Sequence, residues 1–176
     1  MKSLLYVAAA VLASAFGIED ANAGLLGSSV TGSAYNPNLS TRILGPVGPI
    51  TVSSGVEFPI GTLPGNGNLD ITNTQIIYTA VNPATYATGS FDGFVLDFTG
   101  APTILNVTQD AASGFDISYA FTGTEVQMNF SGAISTSVGQ ETILDVTTAT
   151  VPEPATLALA GLGLAGIGFM RRRKTS

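Results

Sequence analysis

The sequence of 176 residues contains no cysteine, no histidine and no tryptophan. Without cysteine there is no disulfide framework. Without cysteine and histidine there is neither a Cys/His zinc site nor catalysis through a thiolate or an imidazole. Bases are scarce as well, six against twelve acids, and Lys2, Arg171, Arg172, Arg173 and Lys174 all sit at the ends of the chain. Between residues 24 and 150 Arg42 is the only base against nine acids, a net charge of −8. One arginine builds no basic patch, which excludes nucleic acid as a partner. With no lysine in this stretch, Schiff-base chemistry is excluded too. Once the two ends are set aside, 127 residues remain, enough for one domain and too few for two.

The first end reads as an address. Lys2 precedes an apolar run of 14 residues from Leu4 to Gly17, and Ala21-Asn22-Ala23 places small residues ahead of Gly24. This is the layout of a secretory signal peptide over residues 1–23, with Ala21 and Ala23 as the cleavage-site residues. As a helix the run reaches only about 21 Å, short of the roughly 30 Å hydrocarbon core that a permanent anchor spans. Export to an oxidising compartment would permit disulfides, so a fold without them rests on its core alone.

The second end begins at Val151. Pro152-Glu153-Pro154 leads into sixteen apolar residues, Ala155 to Met170, and then into Arg171, Arg172, Arg173 and Lys174. Sixteen residues give about 24 Å of helix, and snorkelling arginines with local bilayer thinning cover the remainder. The basic cluster belongs on the cytoplasmic side. The expected tail, 151–176, therefore has a motif at 151–154, a transmembrane helix at 155–170 and a cytoplasmic basic end at 171–176, with the body outside. Gly161, Gly163 and Gly166 match a dinucleotide fingerprint in spacing only. No strand precedes them and no acid follows at the required distance. In an apolar span such small residues serve helix packing instead.

This tail resembles the PEP-CTERM sorting signal of Gram-negative bacteria that make extracellular polysaccharide. Three linked parts carry the resemblance: the Val-Pro-Glu-Pro motif, the Gly/Ala/Leu-rich span and the terminal arginine cluster. The resemblance implies recognition of Pro152, Glu153 and Pro154 by exosortase, a membrane-embedded processing enzyme. It further implies removal of the tail and passage of the body to the cell surface or matrix. Tails of this type also carry the label of an ice-binding protein C-terminal domain, which describes their carriers and not a property of the body. The alternative is an ordinary single-span anchor.

Residues 24–150 are punctuated like an all-β domain. Phe94, Leu96 and Phe98 alternate with Val95 and Asp97. Phe115 to Phe121 and Val126 to Phe130 alternate in the same way. Each set puts its apolar groups on one sheet face. Further strands are expected at 28–35, 50–53, 56–60, 70–80, 104–109 and 142–148. Five prolines between Asn36 and Pro64 predict long loops or edge strands there. Serine and threonine supply 31 of the 127 residues, which keeps the wet faces soluble with little charge. The expected fold is an antiparallel two-sheet sandwich with jelly-roll or Greek-key-like order.

Candidate sites in this body are few. Asn66, Asn68 and Asp70 alternate oxygen ligands in what reads as a Gly-rich loop, a candidate calcium site, although a hairpin turn explains it equally well. Asp92 with Asp97, or Asp110 with Asp116, are further calcium pairs, with turn capping as the alternative. Paired carboxylates alone can hydrolyse glycosides. The Thr-x-Thr pairs at 72/74, 122/124 and 148/150 are too irregular for a flat ice-binding array. No catalytic residue and no other cofactor is expected. The leading expectation is a sorted structural or adhesive protein, an enzyme's substrate and not an enzyme, with extracellular polysaccharide as a possible partner. A carbohydrate- or calcium-binding module is the rival, and a carboxylate-dependent glycoside hydrolase a weaker one. Acids gathered at one end favour calcium, facing acids in a groove favour hydrolysis, and scattered acids favour the structural role.

Overall fold

The computed structural model describes residues 24–132 and 135–150. Ala21, Ala23, the motif Pro152-Glu153-Pro154, the expected span at 155–170 and the cluster from Arg171 to Lys174 lie outside the described residues. Among those described there is no helix. Every named strand pairing is antiparallel, in two five-stranded sheets and one small two-stranded ladder.

The strands are β1 (Ser29–Tyr35), β2 (Arg42–Thr51), β3 (Val56–Phe58), β4 (Gly67–Ile71), β5 (Gln75–Ala80) and β6 (Ala84–Thr85). They continue as β7 (Gly93–Thr99), β8 (Ile104–Gln109), β9 (Ser118–Phe121), β10 (Glu125–Asn129), β11 (Ser135–Thr136) and β12 (Glu141–Thr148). The first sheet has the order β2-β1-β7-β10-β9 and the second β3-β4-β5-β12-β8, while β6 pairs with β11. Period-two alternation explains the two interiors. Phe94, Leu96 and Phe98 of β7 are buried, as are Val126 and Met128 of β10 beside it. In the second sheet Leu69, Ile71, Ile76, Tyr78, Leu144 and Val146 are buried in the same way, and all of these residues join one hydrophobic cluster. Tyr78 of β5 meets Phe94 of β7 with ring centroids 6.0 Å apart, so the two sheets share their core.

Three expectations change. The segment 70–80 is two strands and not one, because Thr72-Asn73-Thr74 turns the chain between β4 and β5. The strand expected from Phe115 begins only at Ser118. Gln109 explains this: its Nε2 donates to the Phe115 carbonyl at 2.8 Å and its Oε1 accepts from Ile117 N–H at 3.2 Å, which occupies backbone that a ladder would use. The proline-rich stretch holds a ten-residue edge strand, β2, longer than the segment 50–53 expected there. Gly45 and Gly48 adopt φ of 102° and 118°, and the β1–β2 register shifts at irregularities where Pro46 and Pro49 lack an N–H to donate. β2 exposes Ile43 and Leu44, and its prolines blunt an edge that would otherwise invite another strand.

Candidate functional site

Two of the three calcium candidates lie on a strand and not in a loop. Asn68 and Asp70 belong to β4, and period two turns them away from the buried Leu69 and Ile71. The Asn68 Oδ1 accepts the Ile60 N–H at 2.8 Å, and the Asn66 carbonyl accepts the N–H groups of Val81 and Asn82 at 2.8 and 2.9 Å. Gly67 has a packing reason: a Cβ there would stand 2.5 Å from Tyr78 Cζ. The glycine that made the segment look like a loop instead admits a tyrosine ring.

The other acids are mostly engaged in local bonds. Asp92 Oδ2 accepts Ala87 N–H at 2.9 Å, and Asp110 Oδ1 caps Ala112 N–H at 2.7 Å. Asp145 accepts from Gln75 Nε2 at 2.9 Å, and Glu141 accepts from Thr79 Oγ1 at 3.0 Å. Asp92 and Asp97 are separated by most of β7, about 17 Å of extended chain, too far to share an ion. Among the described residues no three acids gather as a metal-binding group.

One carboxylate pair does meet. Asp97 and Glu125 are directly opposite in the β7–β10 ladder. Burial, the Glu125 charge and a hydrogen bond to Glu125 hold the Asp97 carboxyl above the usual carboxylate range. Glu125 in turn accepts from Gln127 Nε2 at 2.7 Å. Opposed residues in an antiparallel ladder have Cβ atoms about 4.5–5.5 Å apart, so the two carboxyls are neighbours across the strands. A raised folded pKa means that ionised Asp97 opposes folding, so this group's contribution is full at low pH and is lost as pH rises through its folded pKa. Asp97→Asn should therefore raise stability at pH 7 by about 0.2–1 kcal/mol, the range for a cross-strand pair. The gain should vanish below about pH 4, where the carboxyl is protonated anyway. Denaturant titrations of both proteins at the two pH values check this.

The buried acid that the sequence reading passed over is Glu57, 5% exposed. Its Oε1 accepts the Ser53 N–H and its Oε2 the Ile71 N–H, both at 2.8 Å. It thus ties the segment after β2 to the end of β4. A register shift between Val56 and Phe58 lets both Glu57 and Phe58 turn inward, which strict alternation would forbid.

The Thr-x-Thr pairs at 72/74 and 122/124 are two copies of one hairpin turn. Thr72 Oγ1 accepts from Thr74 and Gln75 N–H at 3.4 and 3.0 Å, and Thr122 Oγ1 accepts from Thr124 and Glu125 N–H at 3.4 and 3.1 Å. The legible signal was the threonine itself, whose hydroxyl readily takes backbone N–H groups two and three residues on. Two shallow hollows lie on the surface of the described residues. One, of about 380 Å³, is bounded by Leu26, Ser53, Ser54, Asp70, Thr72 and Asn73. The other, of about 210 Å³, sets Phe91 and Tyr119 beside Gln127 and Asn129. Neither includes Asp97 or Glu125. Tyr78 and Tyr86 share a buried hydroxyl hydrogen bond of 2.6 Å, and burial pushes both hydroxyls up, so they stay protonated.

Compared with known proteins, the chain matches no curated protein and no solved structure. The family model of the PEP-CTERM protein-sorting motif matches residues 150–174, and the chain carries that motif there.

Proposed function

We propose that this chain is a surface-sorted structural or adhesive protein of the bacterial envelope or extracellular polysaccharide matrix, and not an enzyme. The sorting motif carries the reading: it implies an exosortase-processed protein delivered to the surface. On this reading the signal peptide exports the body. The tail then holds the body at the inner membrane until processing acts at Pro152, Glu153 and Pro154. The structural role is supported by the acids of the body, most of which bond nearby backbone or side-chain groups. The shared core of the two five-stranded sheets supports a sandwich with crossings of a Greek-key-like kind. A second reading, a saccharide-binding module, is favoured by the hollow that joins Phe91 and Tyr119 to two amide side chains.

Glu153→Ala and Pro154→Ala should each leave the full-length protein in the membrane, with almost none in the processed form. An immunoblot of membrane and released fractions reads this. Normal processing and release of both variants would remove the sorting reading.

A further inference from the structure

The hollow of about 210 Å³ is built on the outer face of the first sheet. The β9–β10 ladder sets Ser118 opposite Asn129 and Ala120 opposite Gln127. Period two turns all four away from the buried Val126 and Met128. The wall beside them comes from two loops bonded to each other and to the end of β10. The Pro37 carbonyl accepts the N–H groups of Ser90 and Phe91, both at 3.1 Å. Asn129 Oδ1 accepts the N–H groups of Asp92 and Ser131 at 2.9 and 3.0 Å, and its Nδ2 donates to the Ser90 carbonyl at 3.3 Å. Leu39 and Phe91 line this wall, and Tyr35 meets the Phe91 ring edge-on at 6.4 Å. The shape is therefore held by the protein's own bonds before any ligand arrives, which lowers the cost of binding one.

The hydrogen-bonding groups left over form a mixed set. Ser118 Oγ bonds to nothing among the described residues. Gln127 spends one amide N–H on Glu125 at 2.7 Å and keeps its Oε1 as an acceptor. Asn129 keeps one amide N–H as a donor. A hydroxyl both donates and accepts, so sugar hydroxyls can satisfy all three. Leu39 and Ala120 supply apolar surface for the C–H side of a ring. Two acids adjoin the site without lining it, Glu125 beside Gln127 and Asp92 beside Asn129, in a body of net charge −8. That field opposes an anionic ligand. The hollow is also smaller than the roughly 300–1,000 Å³ of sites that enclose a ligand. Since β9 is an edge strand, it lies at the margin of the sheet, where a longer chain can run on past it. We propose that this hollow holds one ring of a neutral polysaccharide, with Ser118, Gln127 and Asn129 bonding its hydroxyls. This rests on the saccharide-binding reading above.

The test uses the full chain in detergent micelles, run in native gels cast with dextran, galactomannan or alginate, where binding slows migration. The first two polymers are neutral and alginate is a polycarboxylate. At least one neutral polymer should retard the chain, and alginate should not. Ser118→Ala combined with Gln127→Leu should weaken that binding at least about tenfold, as two hydrogen bonds are lost. Asn106→Leu combined with Thr108→Ala makes comparable changes at exposed positions on β8 of the other sheet and should leave binding unchanged. Ser118→Ala alone removes no side-chain bond among the described residues, so it should weaken binding severalfold with an unaltered Tm. Neutral-polymer binding that survives in the double variant would overturn the hollow as the site while the saccharide-binding reading stands. Alginate bound as well as the neutral polymers would overturn the neutral class. If neither neutral polymer retards the chain, the proposal and the saccharide-binding reading fail together.

Discussion

Phe130→Ala should unfold this protein more readily than any other single truncation considered, at a cost of about 3–5 kcal/mol. For a domain of this size that is a fall in Tm of more than about 10 °C. Phe130 is fully buried just after β10. Its ring stacks on Tyr86 at 4.8 Å and lies 4.9 Å from Tyr78, 5.6 Å from Phe94 and 6.2 Å from Phe115. Tyr78 comes from the second sheet and Phe94 from the first, so the ring fills the join between them. Removing it leaves a cavity between rings whose backbones are held in separate ladders and cannot collapse together. Phe130→Leu, which keeps most of the volume, should lose less than half as much. Thermal unfolding by circular dichroism compares the three proteins. A loss of under about 1 kcal/mol for Phe130→Ala would show that these rings do not form the central packing unit.

Glu57→Ala should cost about 2–4 kcal/mol, because it strands the N–H groups of Ser53 and Ile71. Both bonds go to a carboxylate with no cation beside it among the described residues, so the backbone itself supplies the compensating charge. Glu57→Gln keeps one acceptor oxygen but turns an amide N–H₂ toward the second donor. It should fall between the parent and Glu57→Ala. Urea titration of the three separates this order from a simple surface effect, for which all three midpoints would agree.

How much of this was legible in the sequence depended on how local the cause was. The alternation of Phe94, Leu96 and Phe98 named β7 because a central strand buried on one face obeys period two directly. The break at 70–80 was readable by the same rule and was passed over: Ile71 and Ile76, five positions apart, are out of phase across a turn that Thr72 caps. Asn66 to Asp70 read as a loop because Gly67 is also what a loop would contain. Its actual cause is the close approach of the Thr79 carbonyl and the Tyr78 ring on the neighbouring strand, a contact that no local pattern records. Glu57 stayed hidden for a related reason: its partners come from two other segments and its inward turn depends on a register shift. Asp97 and Glu125 looked like two unrelated acids until the β7–β10 ladder set them opposite one another. The sorting motif was legible, since its meaning lies in the order of its parts along the chain and needs no fold to express it.

On the proposed reading, the tail delivers this body to the cell surface. Fractionation of otherwise identical cells with and without the processing enzyme tests it most directly. With the enzyme, antibody to the body should find a shortened protein in the surface or released fraction. Without it, the full-length chain should remain in the inner membrane. A body that reaches the surface at its normal size and amount in cells lacking the enzyme would contradict the account.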